Sequence, residues 1–304
     1  MLDGSAMNAI ILVDKPAGIT SAEAVRRIKR RMKPARVGHL GTLDPFAIGL
    51  LPIMVGEATK LAPFLEGGDK EYQGTIRLGA ETDTLDREGE VVRTAEIPAL
   101  DAEQLRQVAA RFTGRITQTP PIFSAIKRGG VPLYRLARRG ETVEPPPARE
   151  VEIFSLTLDP AGADAIRFTA RCSTGTYARS LARDIGAALG SAAHLENLRR
   201  TRSGRFSLEA AVALVEVLRA LESNDLTGLP IVTMRAALAD MPEVSVDAAV
   251  EARLRNGDSR ALTSMIPKGA APLFKVLAAA DEELIAVARA TTLVTAMIER
   301  IFVR

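Results

Sequence analysis

The chain has 304 residues, of which 47% are hydrophobic and 25% charged, with a net charge of +3. These values describe a globular composition, with length for one large domain plus a small one or for two medium ones. A single cysteine, Cys172, rules out an internal disulfide, and with only His39 and His194 beside it no metal site of the His/Cys zinc kind is expected.

Residues 8–14, NAIILVD, read as a strand, and KPAGIT as a turn. Thr20 opens a helix with Glu23 three residues on, the spacing of a capping box. Val25, Ile28 and Met32 share one face of it and the basic residues take the others. Residues 71–92, EYQGTIRLGAETDTLDREGEVV, look like two strands joined by a polar loop. DAEQLRQVAARFTG is a helix capped by Asp101 and stopped by Gly114. Residues 117–141 begin extended, pass a Gly-Gly turn and end in a basic helix. Two strands are expected around 150–174, then the helix YARSLARDIGAALG, with Leu181, Ile185 and Leu189 on one side and Gly190 as its stop. A helical region at 207–223 precedes SNDLTGLP, which reads as a boundary. From about 241 the chain turns to short apolar strands separated by turns.

Strands mix with helices and no βαβ unit repeats. The expected class is α+β, with a mixed, largely antiparallel sheet, flanking helices and a small mostly-β C-terminal domain. The domain limits are set at 1–240 and 241–304. The apolar segment LIAVARATTLVTAMIERIFV is broken by Arg289, Glu299 and Arg300, so no membrane span is expected. The N-terminus lacks the features of a signal peptide, and the expected location is the cytoplasm. Nucleotide-binding motifs are missing, and no cofactor is expected.

Three basic clusters stand out: RRIKRRMKPAR at 26–36; Lys127, Arg128, Arg135, Arg138 and Arg139; and RRTRSGR at 199–205. They suggest a polyanion-binding face, against the simpler reading of solvated helix faces. One stretch raises a different question. In GHLGTLDPFAIGLLP, 38–52, Asp44 stands among glycines, prolines and apolar residues. Gly38 and Gly41 free the backbone near His39, and Pro45 fixes it after the acid. A carboxylate is thereby placed where a loop enters a core. Read by itself it is a turn aspartate or a reactive group.

Several segments together resemble the TruB-type tRNA pseudouridine synthases. They are LVDKPAGITS, GHLGTLDPFAIGLLPIMVGEATK, KEYQGTIRLGAETDTLD, QTPPIFSAIK, and CSTGTYARSLARDIG followed by AHLENLRRTRSG, collinear over about residues 8–206. The tail from about 241 resembles a PUA RNA-binding domain. The resemblance implies isomerisation of one uridine in the T arm of tRNA, at position 55 in tRNA numbering, in a cleft across the sheet. It implies Asp44 as the catalytic carboxylate, Arg179 as its partner, and Tyr72 as the residue that stacks on the flipped base and takes the C5 proton. Tyr177 and Leu198 would wall the base pocket, and His39 would touch the RNA where the base has left. Lys60 is assigned to site support or a phosphate contact, and Asp86 to polar support near the cleft. Tyr134 is left to core or RNA surface. Attack on C1′, attack on C6 and assistance to loss of a C2′ proton all remain open for Asp44. Beyond tRNA no obligatory partner is implied, and a monomer is expected. The rival readings are a catalytically silent RNA-binding protein, a hydrolase using Asp44 and Asp86 as a carboxylate pair, and a synthase of the same fold acting on another RNA, which the sequence excludes least.

Overall fold

The computed structural model describes residues 7–32, 36–124, 126–139, 141, 143–263, 265–267, 272–292 and 294–303. The side chains of Tyr134 and Arg138, and all of Lys33, Pro34 and Ala35 in the first basic cluster, lie outside the described residues.

The chain opens with β1 (Ala9–Lys15), α1 (Ser21–Arg31), β2 (Val37–His39), β3 (Ile48–Val55) and the short α2 (Ala62–Leu65). Next come β4 (Lys70–Leu78), β5 (Ala80–Thr82), β6 (Val91–Thr94), α3 (Ala102–Phe112) and β7 (Gly114–Gln118). A small hairpin of β8 (Lys127–Arg128) and β9 (Val131–Pro132) leads into α4 (Leu133–Arg138). The strands β10 (Arg149–Pro160) and β11 (Ala165–Cys172), helix α5 (Ala178–Ala188) and strand β12 (Ala193–Ser203) follow. After them run β13 (Phe206–Ser207), β14 (Val212–Ala213), α6 (Leu214–Ser223), β15 (Ile231–Thr233) and α7 (Met234–Ala237). The last part holds β16 (Glu243–Val246), α8 (Ala248–Arg255), β17 (Leu273–Ala278), β18 (Leu284–Ala290) and β19 (Ala296–Ile301).

One large sheet has the order β14-β1-β3-β12-β4-β11-β10-β7, with β15 beside β1, β13 beside β12 and β2 beside β3. The pairs β1–β14 and β3–β12 are parallel and the rest antiparallel, so the sheet is mixed and largely antiparallel, as the sequence implied. A second sheet has the order β16-β17-β18-β19.

Strand alternation explains the uninterrupted apolar run of β1. Ile11 and Val13 join the core under α1, α3, α5 and α6, while Ile10 and Leu12 point the other way. That second face is covered by Leu277, Leu284, Val287 and Phe302 of the C-terminal sheet. Both faces of β1 and β3 are therefore buried, and the loop that leaves β2 for β3 starts from a rigid base.

The helix signals act as read, with one change. Thr20 accepts from the backbone N–H of Glu23 at 3.0 Å, but the Glu23 carboxylate turns to Arg26 and Arg27 instead of closing the box. Asp101 caps α3 through the N–H of Gln104. Three expectations change. Residues 71–92 form three strands, because β4 ends at Gly79 and the short β5 pairs with β6. The stretch 207–223 makes a single 3-10 turn at Leu208–Ala210 and is α-helical only from Leu214, since Val212 and Ala213 pair with Val13 and Asp14 of β1. The chain after SNDLTGLP returns to the large sheet, where β15 pairs with β1, before the second sheet begins at Glu243. Among the described residues no helix is long and apolar enough to cross a membrane.

Candidate active site

Asp44 lies in the loop between β2 and β3 and opens into a cleft of about 280 Å³. Tyr72 from β4, Leu198 and Arg200 from β12, and Tyr177 and Arg179 at the start of α5 line the same cleft. Residues separated by as many as 159 positions, Gly41 and Arg200, thus meet because β12 lies between β3 and β4.

Arg179 is the hub. Its side chain is 5% exposed and that of Asp44 34%. Nη2 donates to Asp44 Oδ1 at 3.2 Å, and Nε lies 2.9 Å from Oδ2, off the axis of a good hydrogen bond. Nη1 lies 3.5 Å from Asp86 Oδ2. The guanidinium also donates to the carbonyls of Thr84 and Phe123, both at 2.9 Å. Asp86 is itself fixed: its Oδ1 accepts from Thr84 Oγ1 at 2.7 Å and from the N–H of Glu88 at 3.0 Å. Leu85, beside it, holds a positive φ of 61°, a conformation that costs a leucine free energy and marks an over-determined loop.

Burial pushes the Asp44 carboxyl above the usual carboxylate range, Arg179 pulls it back, and the nearby Asp86 pushes it up again. The arrangement is a partly exposed carboxylate kept usable by one buried cation. Burial likewise raises the Tyr72 phenol, with Arg200 pulling the other way. Tyr177 is held by both backbone groups: its N–H donates to Gln118 Oε1 at 2.8 Å and its carbonyl accepts from Gln118 Nε2 at 3.1 Å. The Arg149 guanidinium sits 4.8 Å from the centre of its ring.

The other predicted residues divide. Asp86 is buried directly behind Arg179. His39 ends β2 but does not line the cleft; its Nδ1 is buried without a partner, and burial next to Arg200 holds its pKa below the ordinary histidine value. Lys60 is not in the cleft. It pairs with Glu57 at 2.5 Å, donates to the carbonyl of Ile301, and shares a surface notch with Arg36 and Arg300. Of the two roles expected for Lys60, a phosphate contact suits this place better than support of the cleft, because the 3-10 turn that carries it packs toward the C-terminal sheet.

The basic cluster at 199–205 divides: Arg202 and Arg205 are exposed, and Arg200 is not. Strand alternation turns Arg200 inward, where it is 1% exposed, and Arg199 pairs with Asp14. Arg200 donates through Nε to Leu50 O at 2.8 Å, through Nη2 to Gly41 O at 3.0 Å and through Nη1 to Thr42 O at 3.4 Å. It thus braces the loop that carries Asp44. Gly41 has φ +81°, and a side chain there would press on the Arg200 guanidinium. Lys15, fully buried, braces the other end by donating to the carbonyls of Pro16, Ile19 and Pro45. Burial lowers its pKa to about 8. Sequence reasoning missed Lys15, Lys70, Ser124 and Arg200. The signal available was their place inside the quoted motifs, and for Arg200 its even spacing from Leu198 along a strand.

The comparisons follow the same outline. A profile of the TruB family pseudouridylate synthase (N terminal domain) matches residues 29–178. One of the tRNA pseudouridylate synthase B C-terminal domain matches residues 179–241. The chain is similar to tRNA pseudouridine synthase B of Geobacter sulfurreducens, 43% identical with 83% of this chain and 82% of that one covered. It is likewise similar to the Burkholderia mallei protein of that name, 43% identical with 94% of each covered. Among solved structures, it matches a chain of a Cbf5-Nop10-Gar1 complex with a TM-score of 0.72 and 26% identity, over 97% of this chain and 85% of that one. The chain belongs to the TruB family of tRNA pseudouridine synthases, enzymes that isomerise uridine in tRNA.

Proposed function

We propose that the uridine isomerised is the one at position 55 in the T loop, and that the base is flipped into the Asp44 cleft. The observation that carries this reading is the pairing of a cleft-facing carboxylate with a buried arginine, between two tyrosines and Leu198.

The reaction breaks C1′–N1, turns the uracil ring and joins C5 to C1′. C5 then loses a proton and N1 gains one, so atoms and charge balance without an oxidant or an energy source. Each of the three routes open to Asp44 needs it ionised, and Arg179 supports that state. Tyr72 and Tyr177 offer ring surfaces and Leu198 an apolar wall to a base removed from its stack. Tyr72 is the group proposed to take the C5 proton. Asp86 acts through Arg179, and His39 is a neutral contact at the cleft's edge.

Outside the cleft, Arg36, Lys60 and Arg300 form a cationic notch suited to backbone phosphates, and residues 241–304 are proposed as a PUA-like RNA-binding domain beside it. The exposed Lys127 and Arg128 of the β8–β9 hairpin would close on the T loop. This reading puts the protein with tRNA in the cytoplasm.

The test uses an unmodified tRNA transcript, the purified full chain with no added protein, and Asp44→Asn. Pseudouridine is mapped by chemical tagging and primer extension. Modification at position 55 by the wild type alone supports the reading. Modification elsewhere, or activity in Asp44→Asn, overturns it. Release of free uracil would return the hydrolase reading.

A further inference from the structure

The cleft holds more buried positive charge than its carboxylates balance. Asp44 and Asp86 both turn to Arg179. Lys15, Lys70 and Arg200 are 0%, 7% and 1% exposed, and among the described residues none lies within 4.0 Å of a carboxylate oxygen. Lys15 is shut away from the cleft and gives its three donors to three carbonyls. Lys70 differs. It lines the cleft, and its described hydrogen bond is one, to Gly68 O at 2.6 Å. A side-chain carbon built on Gly41 would lie 3.9 Å from Lys70 Cε and 3.2 Å from Arg200 Nη1, so both cations sit against that one residue, next to the Asp44 loop.

Leaving a buried cation without a counter-ion is costly. A cleft that keeps two of them is preorganised for an anion that arrives during the reaction. A phosphodiester is a poor fit, since it belongs to the RNA backbone and meets exposed cations such as Lys127 and Arg128. The ring itself fits better. When C1′–N1 breaks, the bonding pair leaves with the uracil, spreading negative charge over N1, O2 and O4. Addition of a carboxylate to C6 would instead place charge on C5 and O4. Once C5 has bonded to C1′, lost its proton, and N1 has gained one, the ring is neutral again.

We propose that Lys70, braced by Arg200, stabilises the negative charge that the uracil ring carries between the breaking of C1′–N1 and the completion of the C5 glycoside. The proposal rests on the reading that the base enters the Asp44 cleft. Burial and then the neighbouring Arg200 lower the pKa of Lys70; Asp69, Cys172 and Glu66 oppose the shift from beyond ion-pair distance without cancelling it, and an anion in the cleft would oppose it further.

The test compares two tRNA transcripts, one with uridine and one with 5-fluorouridine, whose ring is the more stable anion. Single-turnover loss of the target nucleoside is followed in nuclease digests for wild type, Lys70→Met, Lys70→Arg and Asp44→Asn. The expected loss in Lys70→Met is about 100-fold for uridine and markedly smaller for 5-fluorouridine, with tRNA binding unchanged and Lys70→Arg partly active. Because Lys70→Met removes a buried charge at similar volume, its melting temperature should not fall. Equal losses on the two substrates, or a loss confined to binding, overturn the proposal. Activity in Asp44→Asn overturns the reading of the cleft instead. If Lys70→Met unfolds, the Lys70→Arg comparison decides: the proposal requires its deficit to be smaller on 5-fluorouridine.

Discussion

The arginines of α1 and the cations of the cleft are the same residue types in opposite circumstances. Arg26 and Arg27 pair with Glu23 on their own helix, and Arg31 reaches Glu222; all three are exposed or half-buried. Such pairs trade water for a flexible partner and contribute little. Arg179, Arg200 and Lys15 are buried and tie together segments distant in sequence, largely through backbone carbonyls. Charge count does not separate the two regions. What separates them is whether the partner is fixed: a carbonyl of a packed loop cannot move away, and a surface carboxylate can.

The contrast would break most visibly at Asp44. Asp44→Asn should lower turnover by about 10⁴-fold or more while tRNA binding stays within a few-fold, measured by single-turnover assay and filter binding. Because burial raises the Asp44 pKa, the acid limb of the rate–pH profile should lie above the ordinary carboxylate value, with activity falling as pH drops through it. Arg179→Met would leave Asp44 and Asp86 without their cation and should cost about 3–5 kcal/mol in urea unfolding at neutral pH. The deficit should narrow in acid, where protonation relieves Asp44.

Gly49→Ala probes the backbone under the same cleft. Gly49 has φ +102°, and a Cβ there would collide with the Arg200 backbone across the parallel β3–β12 pair. A loss of about 2–3 kcal/mol is expected. Cys172 gives an effect of similar size that is confined to alkaline pH. Burial raises its thiol from 9.0 to about 11, so the folded protein keeps a proton that the unfolded chain releases. Stability should therefore fall between pH 9 and 11 by about 2–3 kcal/mol at 1.36 per pKa unit, and Cys172→Ala should lack that component. Arg26→Ala, at the other end of the comparison, should leave the melting temperature unchanged.

Much of this architecture was legible in the sequence because local signals carried it. Asp101 and Thr20 mark helix starts with their own side chains, an unbroken apolar run marks β1, and apolar alternation marks β11. The motif residues Asp44, Tyr72, Tyr177, Arg179 and Leu198 converge on one cleft. The inward turn of Arg200 was not legible, because RRTRSGR reads as a charge run until the strand's neighbours are known. The place of Lys60 outside the cleft was hidden for a related reason: its motif is local, and its partner Ile301 is 241 residues away. The strands β14 and β15 were hidden because two or three residues carry no periodicity, and their pairing with β1 depends on a fold already formed.

The strand order also constrains how the chain reaches this state. Asp44 and Arg179 are 135 residues apart, and Arg200 and Leu50 are 150 apart. Contacts of that span form slowly, because much chain must be ordered before they return any free energy. Until β12 docks between β3 and β4, Lys70 and Arg200 keep their hydration and the Asp44 loop lacks its brace. The cleft is thus expected to be among the last parts of the molecule to set, with recovery of activity on refolding trailing recovery of helical signal.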